Sequence, residues 1–232
     1  MAVSASNLTV GSDSGAAASS FATASITPGA NKLILLSVTA RRGDSTQPVA
    51  PTVTGNGLTW VEIAEIYWDT TSTSRKSTFL FRAMGASPSS GAVTMDFGTQ
   101  SINLPNWIVD EITGMDTSGT NGSGAIVQSA TNKNEAGATL TVTLAAFSSA
   151  NNATYGAFGG DSFAAGSSVG TGYTQLGSTD GATTTAGVTE FRSDNDTSVD
   201  VTFSTASVGG VAIEIKAAST TSTANFFPFF RP

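Results

Sequence analysis

The feature that most constrains this chain is a glycine-led turn that occurs twice, each time before a run of alternating apolar and polar residues. The first copy covers residues 55–61 (GNGLTWV) and the second, more loosely, residues 170–176 (GTGYTQL). Two glycines before an alternating run are typical of a turn and the strand that it starts. The sequence therefore predicts a duplicated β-sheet scaffold.

Matching dipeptides on either side of the turn support the duplication. Phe81-Arg82 corresponds to Phe191-Arg192, and Glu111-Ile112 corresponds to Glu214-Ile215. The separation between matching positions decreases along the chain, as it does when loops shorten in one copy. We expect half-repeats at about residues 20–115 and 125–218, joined by a Gly-rich connector, and we expect them to interleave in one two-sheet core rather than form separate sandwiches.

The strand pattern defines the fold class. About a dozen alternating segments are separated by turns every 8 to 12 residues, and apolar residues hold no helical period. Residues 32–40 are apolar on both faces, which indicates a central, covered strand. We predict an all-β protein, a jelly-roll-like two-sheet antiparallel β-sandwich of two diverged half-repeats with an extended C-terminal arm.

Composition excludes several classes of function. The chain has no cysteine and no histidine, so disulfides, thiolate zinc sites and Ser-His or Cys-His nucleophiles cannot form. The net charge of −7 and pI near 4.4 argue against nucleic acid as a partner. The sequence shows neither a membrane-spanning apolar run nor an export signal, so we expect synthesis in a cytoplasm and no membrane partner.

The residues that remain for chemistry favour a protein that is not an enzyme. Glu62 and Trp60 on one strand face could mimic a sugar site, whereas Asp110 and Glu111 are strand neighbours and should point to opposite faces. The turn at residues 193–197 (SDNDT) could hold Ca²⁺, although Asp and Asn are ordinary turn formers. We therefore expect no catalytic, cofactor-binding or metal-binding residues.

Two further groups have a structural and a functional interpretation. Trp60, Trp68 and Trp107 could stack on sugars in a carbohydrate-binding module, although strand tryptophans are more often core residues. Arg41 and Arg42 could form a contact site, although such a pair is more often a solvated strand end.

The C-terminal segment is the strongest candidate for partner binding. Residues 219–232 combine a Ser/Thr linker with an arm that holds four of the 13 phenylalanines. Leaving each ring in water costs about 1.5–3 kcal/mol relative to burial, so we expect the arm to dock, either on its own domain or on another subunit. The expected contact residues are Phe226, Phe227, Pro228, Phe229, Phe230 and Arg231.

A family resemblance is carried by five segments, residues 30–38 (ANKLILLSV), 57–60 (GLTW), 79–82 (FLFR), 114–116 (GMD) and 211–216 (VAIEIK). Together they resemble segments of repeated β-sandwich proteins of tailed-phage virions and of secreted bacterial modules. The resemblance implies a non-enzymatic structural or adhesive role, and the missing export signal favours the phage branch. We expect a virion structural protein, a capsid decoration or cement protein or a tail or fibre component, that oligomerises and binds other virion proteins without a cofactor. The alternative is a carbohydrate- or cell-surface-binding module with a host-surface glycan as partner.

Overall fold

The computed structural model describes residues 2–180 and 185–219. Within them the chain forms sixteen strands and one short 3-10 helix, Ser123–Ala125. The first eight strands are β1 (Ser4–Ser12), β2 (Ser20–Ala22), β3 (Leu33–Arg41), β4 (Thr52–Gly55), β5 (Val61–Trp68), β6 (Lys76–Ala83), β7 (Val93–Asp96) and β8 (Asn103–Thr113). The last eight are β9 (Ile126–Asn134), β10 (Thr139–Thr143), β11 (Ala153–Gly160), β12 (Ser168–Val169), β13 (Thr174–Thr179), β14 (Ala186–Arg192), β15 (Ser198–Thr202) and β16 (Val208–Ile215).

The two halves have the same topology. In the first half, a five-stranded sheet has the order β1-β8-β3-β6-β5 and a three-stranded sheet the order β2-β7-β4. The second half repeats both orders as β9-β16-β11-β14-β13 and β10-β15-β12. The prediction of an all-β antiparallel sandwich built from two diverged half-repeats is confirmed. Because β1 is the counterpart of β9, the first repeat extends back to Ser4, beyond the start expected at about residue 20.

The sheets stack in four layers. Each half encloses its own apolar core between its five-stranded and three-stranded sheets, and a third core lies between the two five-stranded sheets. The expectation that the halves interleave in one two-sheet core is therefore wrong, since no sheet in the described residues combines strands of both halves. Each repeat already closes a two-sheet core, and it buries its remaining apolar sheet face against the other repeat.

The two five-stranded sheets pack with an approximate two-fold relationship. Strand β1 packs against β13 and the equivalent strand β9 packs against β5, while β3 and β11 face each other at the centre. The central strands are covered on both sides, as the sequence predicted for residues 32–40: Leu33 to Ala40 and all of β11 are buried. The chain is thus folded like a symmetric dimer joined into one polypeptide.

The sheet registers correct one match between the repeats. The predicted turns are equivalent, because Leu58 N–H donates to Gly55 O and Tyr173 N–H donates to Gly170 O. In the strands, Leu36 pairs with Phe81 and its counterpart Gly156 pairs with Glu190. Phe81 therefore corresponds to Glu190 and Arg82 to Phe191, one residue away from the dipeptide match. A slip of one residue places a strand side chain on the opposite face.

The connector, the first described residues and the last described residues lie at one end of the body. Met115 forms an isolated bridge with Ala217, and Asp116 forms an ion pair with Lys216. A Cβ on Gly114 would lie 2.2 Å from the carbonyl oxygen of Ala2, so the connector also touches the start of the chain. The chain leaves β16 towards residue 219 at this end.

Candidate functional site

A β-bulge in β5 gathers polar side chains on one face of an edge strand. Glu62 pairs with Phe81 and Ala64 with Leu80, so Ile63 is the extra residue. Strict alternation would place Glu62 and Glu65 on opposite faces, but the bulge places both on the same face together with Tyr67. We call Trp60, Glu62, Glu65 and Tyr67 the β5 face. The sequence predicted that Glu62 shares a face with Trp60, and it missed Glu65 and Tyr67 because a bulge leaves no signal in the alternation.

Hydrogen bonds and packing orient the β5 face. The Tyr67 hydroxyl donates to Glu65 Oε1 at 2.6 Å, and the Trp60 indole N–H donates to Gly55 O at 3.4 Å. Trp60 packs against the core of the first half and is half-buried, whereas Tyr67 is 37% exposed. One aromatic ring is therefore fixed by the core while the phenol and the carboxylates stay accessible to a ligand.

The ionisable groups of the β5 face influence one another. Partial burial, with a contribution from the charge of Glu65, raises the pKa of Glu62. The hydrogen bond to Glu65, followed by burial and the charges of both carboxylates, raises the pKa of Tyr67 to about 12. The face therefore combines clustered carboxylate acceptors with a neutral phenol and an aromatic ring. Such a set suits a ligand with several hydroxyl donors and an apolar ring face.

The equivalent face of the second half lacks the two neighbouring carboxylates. Strand β13 has the same bulge, at Leu176, between Gln175 and Gly177. There the Gln175 amide donates to Ser178 Oγ at 3.0 Å, in the places that correspond to Glu62 and Glu65. The backbone is shared by the repeats, whereas the pair of carboxylates at the bulge belongs to the first half.

Fully buried carboxyl groups lie elsewhere, among them Asp110 and Glu190. The Asp110 carboxylate accepts hydrogen bonds from Asn7 and from the Tyr155 hydroxyl between the halves, and burial raises its pKa to about 6. Glu190 lies in the core of the second half, where it accepts a hydrogen bond from Gly170 N–H at 2.9 Å. Burial, with the charges of Asp200 and Asp196, raises its pKa to about 8. Both groups contact protein on all sides and act on stability.

The remaining candidate residues have structural roles. Trp68 and Trp107 are buried core residues. Asp110 and Glu111 point to opposite faces as predicted, because Asp110 contacts the other half while Glu111 accepts a hydrogen bond from Gly29 N–H at 2.6 Å.

The loops that held two other candidates use their charges internally. In the turn at residues 193–197, the carboxylates of Asp194 and Asp196 both form ion pairs with Arg192 at 2.6 Å. Across residues 2–180 and 185–219, no cluster of three or more acidic side chains suited to a metal ion is found. Arg42 pairs with Asp44, and Arg41 donates to Ser74. The predicted contact residues Phe226 to Arg231 lie outside the described residues.

A polar groove of about 610 Å³ lies beside the last described residues, 216–219. Ser148, Ser149, Asn151, Ser193 and Lys216 contribute to its walls. Serine, asparagine and lysine side chains favour hydrated ligands over the phenyl rings of the arm.

Comparisons with family models, curated proteins and solved structures found no match to this chain. In the part of the chain that the structure describes, no helix is long and apolar enough to cross a membrane.

Proposed function

We propose that this protein is a non-enzymatic structural protein of a virion, a capsid decoration or cement protein or a tail or fibre component. The observation that carries the proposal is the duplicated jelly roll, in which two equivalent sandwiches share a third apolar core and form one four-layer body. Such a body holds its surface loops in a fixed geometry. Its acidic surface favours a soluble component that avoids nucleic acid during assembly.

The arm supplies the attachment in this proposal. Across the described residues, the exposed large apolar side chains are Val10, Val49, Tyr67 and Val127. They lie on four separate segments, so the described surface offers the arm few large apolar side chains. This distribution favours a partner subunit as the surface that covers the four phenylalanines of the arm, in the manner of aromatic anchors at interfaces.

The experiment compares the full chain with a truncation that ends at Ala218 and with a full-length variant whose four arm phenylalanines are serine. Light scattering measures the mass of each protein, alone and mixed with virion particles that lack the protein. We expect the full chain to self-assemble or load onto particles and both variants to remain folded monomers. Equal behaviour of all three proteins contradicts the proposal.

A second candidate function is carbohydrate binding, and the β5 face favours it. Trp60 offers an aromatic ring at a sheet edge, while Glu62, Glu65 and Tyr67 supply polar groups beside it. A glycan bound there would give the body an adhesive role on a host surface. This function belongs to a different class, because it uses the side of the body rather than the arm.

A further inference from the structure

The inner faces of the two five-stranded sheets are equivalent in backbone and different in side chains. Under the two-fold relationship, each contact between the halves has a counterpart in which the two positions are exchanged. The registers identify these counterparts, since Leu33 pairs with Ile112 as Ala153 pairs with Ile215. The counterparts therefore reveal what each half would meet if it paired with a copy of itself.

The central polar contact is one-sided. The Tyr155 hydroxyl donates to Asp110 Oδ2 at 2.8 Å, and both residues are fully buried. The counterpart of Tyr155 is Leu35 and the counterpart of Asp110 is Ile213, and both are buried in the same core. Two first halves would bury the Asp110 carboxylate against Leu35, and two second halves would bury the Tyr155 hydroxyl against Ile213. Each leaves a buried polar group without its partner.

A packing contact gives the same result independently. Trp68 is fully buried against β16, where a Cβ on Gly209 would lie 2.2 Å from Trp68 Cδ1. The counterpart of Gly209 is Asn106, whose side chain is buried. Two first halves would press Trp68 onto Asn106, a position with a side chain where the indole requires glycine.

The charges at the edge of this interface agree. Lys76 of the first half forms ion pairs with Asp69 of its own half and with Asp161 of the second half. The counterpart of Asp161 is Arg41. Two first halves would place Lys76 opposite Arg41, and like charges there oppose pairing.

We infer that each inner face is a recognition surface specific for the inner face of the other half. The first half pairs with a second half, from the same chain or from another copy, and does not pair with another first half. Recognition comes from three separate contacts, and none of them involves the connector. The specificity should therefore survive a break in the connector. The inference does not depend on the proposed virion role.

The test opens the connector in the full chain. A protease site is inserted at residues 117–120, which are exposed, and the folded protein is cleaved there. The cut protein is unfolded in denaturant, refolded with the first half in excess, and its complexes are weighed by native mass spectrometry. We expect pairs of one first half and one second half, with the surplus first half unpaired. Pairs of two first halves in comparable amount overturn the inference.

A measurement on the intact chain covers the case in which the cut halves do not refold. Asp161→Arg places an arginine opposite Lys76, as Arg41 would be in a pair of two first halves. Asp44→Arg is the control, because it breaks an ion pair within one half. We expect Asp161→Arg to lower the urea midpoint clearly more than the control, and the added change Lys76→Thr to restore part of the loss. Equal effects of Asp161→Arg and the control, or no restoration, overturn the inference.

Discussion

The hydroxyl of Tyr155 lies 2.8 Å from Oδ2 of Asp110, and this hydrogen bond joins the two repeats across their shared core. The Asn7 amide donates to the other carboxylate oxygen at 2.9 Å. The carboxylate is thus buried with donors on both oxygens, which makes its ionised form tolerable. Its exchanged counterpart is the apolar pair Leu35 and Ile213.

Replacing Tyr155 by Phe should destabilise the protein by about 1.5–3 kcal/mol, because the buried carboxylate loses a charge-assisted donor. The double variant Asp110→Leu/Tyr155→Phe should be more stable than Tyr155→Phe alone, since it replaces a broken polar pair by an apolar one like that at the exchanged positions. Urea unfolding of the wild type, both single variants and the double variant measures the coupling. A double variant less stable than Tyr155→Phe would contradict this account.

The stability should fall as the pH rises from about 4 to about 8. Burial raises the pKa of Asp110 to about 6 and that of Glu190 to about 8, so the folded state keeps protons that the unfolded state releases. Each pKa unit is worth about 1.4 kcal/mol. At low pH the effect has the opposite sign. Hydrogen bonds from Lys216 and Ser118 lower the pKa of Asp116 to about 2, so the stability that its ionised carboxylate contributes is lost as the pH falls from about 4 to about 2.

The pH prediction is measured as the urea midpoint between pH 3 and pH 9 for the wild type and Glu190→Gln. The variant lacks the buried ionisable group, so its curve should be flatter between pH 5 and pH 8 while the part that depends on Asp110 remains. Parallel curves for the two proteins would show that Glu190 does not titrate in this range.

Gly209→Ala should destabilise the protein by about 1–3 kcal/mol, because the added methyl group would overlap the indole of Trp68. The matched control is Gly43→Ala in an exposed loop, where the nearest atom to a new Cβ is Asn103 Nδ2 at 3.4 Å. Thermal unfolding of both variants decides the question. A Gly209 variant as stable as the control would mean that the halves can separate to admit a side chain.

Under the second candidate function, Trp60→Ala should weaken binding to a glycan array at least about tenfold, or about 1.4 kcal/mol. Glu62→Gln should also weaken binding, since the amide replaces an acceptor oxygen by a donor. Gln175→Ala, at the equivalent place on β13, serves as the control and should bind like the wild type. If the wild-type protein binds no glycan on the array, carbohydrate binding is excluded as a function.

Local patterns were enough to predict much of the fold. The glycine-led turns, the covered strand at residues 32–40 and the duplication follow from residues near one another in the chain. The match of Phe81-Arg82 with Phe191-Arg192 was one residue out, because identical dipeptides can arise by chance in two alternating strands. The β5 face was found only in part, since the bulge at Ile63 depends on hydrogen bonding to β6.

The sequence by itself determined which segments form strands and that the chain is built twice on one plan, because alternation and turn residues act over a few neighbouring positions. Only the tertiary structure decided that each repeat closes its own sandwich and that the two stack through a third core. An apolar strand face must be buried, but its residue pattern does not specify which surface of the protein covers it. The pairing of Asp110 with Tyr155 and of Trp68 with Gly209 depends on that covering surface, so it came from the packed structure alone.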